Sequence, residues 1–230
     1  MLPVQKIAWT PVEVEMMRHK ILSRFIIIFF VSFFMSHAAH ADDPIQPQYK
    51  TADSQIVDNA KALRLDRKYD AAIDLLKPLI KREPEYYRAI YQLALSFGER
   101  AQSASKQPND IQDSDTWFRQ AIAQKERLSA AGKPLNEYTI YNSYGWFLME
   151  TGRFKDAEVT LLKGVNELDK LPSVQSQQRV LNNLSIVYKR QGRFAEAAEL
   201  SKKALALGSV TAQKNLIEIQ QMAKSKGQKQ

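Results

Sequence analysis

Gly152-Arg153-Phe154-Lys155-Asp156-Ala157 is answered forty residues later by Gly192-Arg193-Phe194-Ala195-Glu196-Ala197. A third copy, Arg67-Lys68-Tyr69-Asp70-Ala71-Ala72, stands upstream. Apolar residues at helical spacing lie on both sides of each copy. Leu75-Leu76-Lys77-Pro78-Leu79-Ile80 follows the first, and Leu200-Ser201-Lys202-Lys203-Ala204-Leu205 follows the last. A turn signal between two amphipathic helical runs, recurring every few tens of residues, marks a repeat protein. No unit of such a protein buries its own apolar face alone.

Counted outward from these turns, the chain divides into four units. The first starts at Asp53, with Ala60 and Ala72 as its small residues, Ile56, Leu63, Leu75, Leu76 and Leu79 as apolar positions, and Pro84 at its end. Pro78 removes an amide inside the second helix and is expected to kink it mildly. The second unit starts at Tyr87 with Ile90, Leu93, Ala94 and Phe97. Residues 101–113, rich in Ser, Gln, Asn and Asp, replace its tight turn, and Ser114 or Asp115 is expected to cap the helix that carries Trp117, Phe118, Ala121, Ile122 and Leu128. Gly132-Lys133-Pro134 ends that helix. Unit three counts from Tyr138 (Tyr141, Tyr144, Gly145, Leu148, then Phe154, Ala157, Leu161, Gly164), and Leu171-Pro172 closes it. Unit four counts from Gln178 (Leu181, Leu184, Ser185, Tyr188, then Phe194, Ala197, Ala204), up to Gly208-Ser209. Val210 to Met222 forms one further amphipathic run, the expected cover for the last apolar face.

These units resemble the tetratricopeptide repeat, an antiparallel helix pair of about 34 residues. The resemblance covers 53–222. It implies an all-α fold, a right-handed solenoid of about four antiparallel helix pairs with a C-terminal capping helix. In that family small residues stand where the two helices of a unit cross, which are Ala60 and Ala72 in the first unit. A glycine inside a helix, as at Gly145, costs about 1 kcal/mol relative to alanine, and makes sense where a partner helix presses on the backbone.

The N-terminus reads differently. Arg18, His19, Lys20 and Arg24 precede the apolar block Phe25 to Met35, followed by Ala38-Ala39-His40-Ala41 and Asp42-Asp43. A basic head, a short apolar core and an Ala-x-Ala exit make a secretory signal peptide, with cleavage expected after Ala41. The alternative is a retained inner-membrane anchor, which takes about 20 apolar residues. Glu13 and Glu15 are out of place before such a signal, so translation is expected to start at Met16 or Met17, with 1–16 a mis-set start. Residues 42–52, with Pro44 and Pro47, read as a linker, and 223–230 as a disordered basic tail.

Composition then limits the chemistry. The whole chain carries 33 basic and 25 acidic residues. Loss of 1–41 removes Lys6, Arg18, Lys20 and Arg24 with Glu13 and Glu15, leaving 29 basic and 23 acidic residues and a net charge of +6. All three histidines (His19, His37, His40) leave with the signal, and there is no cysteine. A mature chain with neither residue has no His-based triad, thiol nucleophile or conventional zinc site. No phosphate loop or nucleophile elbow is present either. No metal and no cofactor is expected. The positive charge is not gathered into a stripe with interleaved aromatics, so nucleic acid is not expected as a partner.

The resemblance further implies a concave wall made by the first helix of each unit. Carried over to this sequence, the groove candidates are Lys61, Arg64, Arg88, Tyr91, Asn142, Trp146, Asn182 and Lys189, with Val57, Glu99, Ser143 and Arg179 among their neighbours on the wall. Amide side chains can pair with a bound backbone, flat aromatics give apolar contact, and cations hold carboxylates. The expected function is a non-catalytic periplasmic or secreted adaptor that binds a protein or peptide. The alternatives are a membrane-tethered subunit of an envelope machine (pilus, secretion or division apparatus) and an enzyme of carboxylate chemistry.

Overall fold

The structure, a computed structural model, describes residues 51–135 and 137–227. The expected signal segment, most of the expected linker and residues 228–230 lie outside the described residues. Within them the chain forms nine α-helices and no strand: α1 Thr51–Leu65, α2 Tyr69–Arg82, α3 Tyr87–Ala101, α4 Asp110–Ala130, α5 Ile140–Glu150, α6 Phe154–Asn166, α7 Val174–Arg190, α8 Phe194–Ala206 and α9 Val210–Gly227, with a 3-10 turn at Leu168–Lys170.

Helices α1/α2, α3/α4, α5/α6 and α7/α8 pack as hairpins. Each second helix also packs on the first helix of the next pair, and α8 packs on α9. The first helices touch in succession, α1 to α3, α3 to α5, α5 to α7 and α7 to α9. This is the expected solenoid of four pairs closed by a terminal helix.

Small side chains at the crossings let the helices approach. Ala60, Ala72, Ala94, Ala121, Ala157 and Ala197 are fully buried. A Cβ added at Gly145 would lie 2.4 Å from Cγ of Leu161 on the paired helix, which is the close approach the glycine suggested. At the corresponding place in unit four, Ser185 donates to the Ala197 carbonyl at 2.8 Å and its Oγ lies 2.7 Å from Oγ of Ser201. Bulkier residues fill the space between crossings, and an aromatic column runs from Tyr87 and Tyr91 on α3 through Phe118 on α4 to Tyr144 and Phe147 on α5, with successive ring centroids 5.1 to 6.2 Å apart. Burying each such side chain contributes about 1.5–3 kcal/mol.

The repeated turns share one geometry. Gly152 and Gly192 adopt φ of 78° and 75°, and the next amide reaches back to the helix, Arg153 N to Leu148 O at 2.8 Å and Arg193 N to Tyr188 O at 2.9 Å. This left-handed closure satisfies the last carbonyls of the helix. The first copy does the same without glycine: Arg67 stands at φ 60°, and Lys68 N reaches Leu63 O at 2.9 Å.

Three expectations change. The second helix of unit two starts at Asp110, a turn before Ser114, because Asp110 is held in place by a buried ion pair with Arg100 (Nη2 to Oδ1 2.6 Å) and its Oδ2 accepts the Gln107 amide at 2.7 Å. The loop is therefore 102–109, and 110–113 is helix. Leu75, expected inside, is 38% exposed, while Val57, expected on the wall, is buried at 1% exposure. In both cases the flank that is covered depends on where the neighbouring helices lie, which a count along one helix does not contain. Pro78 lies on the exposed side of α2, and the helix continues past it to Arg82.

Candidate functional site

The face made by the first helices contains a cleft of about 440 Å³. Helix α1 contributes Lys61 and Arg64, and α3 contributes Arg88, Tyr91, Gln92, Leu95 and Glu99. Glu137 and Thr139 enter from the segment before α5, which itself supplies Asn142 and Ser143. Leu171 at the end of unit three, with Ser176 and Arg179 on α7, closes the cleft. One cavity thus draws side chains from all four pairs. This follows from the stacking, since successive first helices run side by side.

Polar bonds tie these helices to one another. Arg64, buried, crosses from α1 to form an ion pair with Glu99 and donates from Nε to Gln92 Oε1 at 3.2 Å. Arg88 pairs back to Asp58 at 2.8 Å. The Tyr91 hydroxyl lies 2.7 Å from Ser143 Oγ and 3.4 Å from Thr139 Oγ1, linking α3 to α5. Asn183 on α7 donates to Asn142 Oδ1 at 2.9 Å, so the Asn142 carbonyl is engaged while its amide nitrogen keeps its donors for other acceptors.

Burial raises the Glu137 carboxyl above the ordinary carboxylate range, although Arg88 and Lys61 pull it down. Burial likewise raises Glu99 against the opposing pull of Arg64, and raises the Tyr91 phenol, leaving it neutral near pH 7. In both glutamates the loss of water outweighs the neighbouring cations. Lys61 and Arg179 stand exposed at the cleft, and among the described residues neither is in an ion pair. The site therefore offers cations, amide donors, hydroxyls and the apolar surfaces of Leu95 and Leu171. Among the described residues no cluster of acidic or histidine side chains is arranged to hold a metal ion.

Five of the eight groove candidates line this cleft: Lys61, Arg64, Arg88, Tyr91 and Asn142. The other three do not. Trp146 is half-buried and packs against the core. Asn182 is buried and donates to Ser209 Oγ at 2.8 Å, and Lys189 pairs with Glu218 of α9 at 2.7 Å. Helix α9 occupies the wall there, and these two side chains seat it. The sequence count missed Gln92, Leu95, Glu137, Thr139, Leu171 and Ser176. Glu137 and Thr139 fall in or beside the spacer between units, and the only trace of them in the sequence is that the spacer is longer than a tight turn.

A second groove, about 330 Å³, runs between α4 and α6. Its flanking cations are paired there, Arg119 and Arg153 with Asp115 and Lys163 with Glu126, so it offers a ligand less than the first cleft does.

The geometry is that of a helical-repeat scaffold. A tetratricopeptide-repeat family model matches residues 179–208, most of the first helix of unit four, its turn and the whole of its second helix. Solved structures of similar shape include Pseudomonas aeruginosa pilF, with a TM-score of 0.61 and 20% identity over 76% of this chain and 70% of that one. PilW, a widely conserved type IV pilus biogenesis factor, aligns with a TM-score of 0.59 and 22% identity over 78% and 73%. MamA from Desulfovibrio magneticus RS-1 aligns with 0.58 and 14% over 78% and 91%. No curated protein matches the chain in sequence. At these identities the likeness establishes fold alone: the described region is a helical solenoid similar in architecture to tetratricopeptide-repeat proteins.

Proposed function

We propose that the protein is a non-catalytic adaptor that holds a segment of another protein in the cleft shared by α1, α3, α5 and α7. The observation that carries this reading is that one cavity collects donors and cations from all four pairs while its floor is wired rigidly by Arg64–Glu99 and Tyr91–Ser143. A pre-formed wall of that kind suits an extended chain, whose backbone can take the amide of Asn142 and the hydroxyls nearby. Among the described residues, the carboxylates lining the cleft face cations, and no histidine or thiol lines it. That combination favours binding over acid–base or nucleophilic chemistry.

The basic-apolar-Ala-x-Ala order at 18–41 supports export to the periplasm or beyond. A membrane-tethered subunit of an envelope machine is the second reading, and the likeness in shape to pilF and PilW favours a place in pilus assembly for it. Among the described residues no helix is long and apolar enough to cross a membrane, so a tether would lie in the Phe25–Met35 block. N-terminal sequencing of protein from the native host separates the two: Asp42 at the start supports the free form, and a full-length chain in the membrane pellet supports the tether.

The cleft itself is tested with a photo-crosslinking residue at Ser176, inside it, and another at the exposed Lys203 on α8. One identified partner captured at Ser176 and not at Lys203 supports the adaptor. Capture at neither position, or equally at both, sinks it.

A further inference from the structure

The charges around the cleft are unequal in a way that specifies the ligand. Among the described residues, four cations line it and two carboxylates do. Arg64 is spent on Glu99 within the wall, and Arg88 is held by Asp58. Lys61 and Arg179, from opposite ends of the stack, remain exposed without an ion-pair partner among the described residues. Between the units, Glu137 brings a carboxyl group into the cleft and faces Lys61 and Arg88. It is the only carboxylate among the described lining residues that has no ion pair of its own, and it comes from the inter-unit segment and not from the wall. The apolar lining is limited to Leu95, Leu171 and the ring of Tyr91.

We infer that the cleft takes an acidic peptide segment, whose carboxylates are received at Lys61 or at Arg179, and that Glu137 is the cleft's own competitor for it. This rests on the adaptor reading above and names the chemistry of its partner. The cations attract a carboxylate and set the direction in which it lies, and the aliphatic side chains beside it contact Leu95 and Leu171. Glu137 stands where it repels an incoming acid and occupies the field of Lys61 and Arg88. Loss of its charge therefore strengthens binding. A carboxylate can come from acidic side chains or from a chain terminus, and the two are chemically alike at this site.

Three labelled peptides separate the possibilities by fluorescence anisotropy at physiological salt: Ac-Leu-Glu-Leu-Glu-Leu-amide, Ac-Leu-Ala-Leu-Ala-Leu with a free C-terminus, and Ac-Leu-Lys-Leu-Lys-Leu-amide. The expected result is binding of one or both acid-bearing peptides and not of the lysine peptide. Preference for the first assigns side-chain carboxylates, and preference for the second assigns a terminus. Lys61→Glu with Arg179→Glu is expected to weaken binding about tenfold or more, as loss of charge-assisted contacts does. The charge-matched pair Lys202→Glu with Lys203→Glu, on exposed α8 positions outside the cleft, is expected to leave it unchanged. Glu137→Gln is expected to tighten it about threefold, the scale of one removed like charge at a partly screened site. Equal losses in the two double variants, binding of the lysine peptide, or weaker binding by Glu137→Gln would each overturn the inference. If Ser176 crosslinks to a partner but no acidic peptide binds, the adaptor reading survives and this one falls. If Ser176 captures nothing, the adaptor reading itself falls.

Discussion

The guanidinium of Arg100 and the carboxylate of Asp110 face each other across the loop 102–109, with Nε 3.0 and 3.1 Å from the two oxygens and Nη2 at 2.6 Å from Oδ1. Both side chains are buried, and Arg100 also reaches Asp70 on the preceding pair. The same device recurs at the next two seams. Arg153 bridges Asp115 of the preceding pair and Asp156 of its own, and Arg193 bridges Glu158 and Glu196. Arg153 and Arg193 belong to the repeated turn motif, whereas Arg100 stands in the unit that lacks it. Burial separates the three: the Arg100–Asp110 pair is enclosed, and the other two are open to water.

Breaking a buried pair from one side leaves an unpaired charge, which costs about 3–5 kcal/mol. Asp110→Ala is therefore expected to lower stability by about 3 kcal/mol in urea unfolding. Asp156→Ala, at an exposed pair, is expected to cost under about 1 kcal/mol. Similar small losses at both positions would mean that the loop is not anchored by this pair.

Arg67 holds a left-handed φ at the turn where units three and four place glycine. A left-handed residue other than glycine carries a penalty of about 1–2 kcal/mol. Arg67→Gly gains back that strain and loses some unfolded-state restriction, so a net stabilisation of about 1 kcal/mol is expected, read as a higher melting temperature. Gly152→Ala is expected to shift it the other way. A destabilised Arg67→Gly would assign the arginine a contact that outweighs its backbone.

Gly145 permits α5 to lie against Leu161. A methyl group there meets Leu161 carbons closer than atoms tolerate, and overpacking of this kind costs about 1–3 kcal/mol. Gly145→Ala is expected to be destabilising despite alanine's better helix propensity. Coupling it with Leu161→Val tests the contact: a double variant less unstable than the sum of the singles places the clash at that leucine.

Trp146 packs half-buried against the core and stands outside the cleft. Trp146→Ala is therefore expected to cost stability, about 2–3 kcal/mol for a side chain only partly buried, while partner capture at Ser176 survives in the folded fraction. Unchanged melting with capture lost would return Trp146 to the binding wall.

Repeat number, helix type and the crossing residues were legible in the sequence because each rests on local physics. The turns at Gly152 and Gly192 mark chain reversals by backbone conformation. The spacing of Ala60, Ala72, Ala157 and Ala197 marks the small residues that close helix approach demands. Both signals recur, so each copy supports the others. The composition also bounded the chemistry, since the chain has no cysteine and its three histidines all lie at or before His40, within the segment expected to be removed.

Tertiary structure decided the rest of the site. A fixed count along each unit placed Asn182 and Lys189 on an open wall, but α9 packs over unit four and takes both as its anchors. Val57 shares helix α1 with Lys61 and Arg64 yet turns inward, because which flank of a helix is covered depends on where its neighbours lie. Glu137 belongs to no unit, and only the stacking of α1, α3 and α5 around the spacer brings its carboxyl to Lys61 and Arg88. Spacing within one helix sets which residues share a face. Which face meets water, and which distant charges meet across it, is set by the packing of one unit on the next.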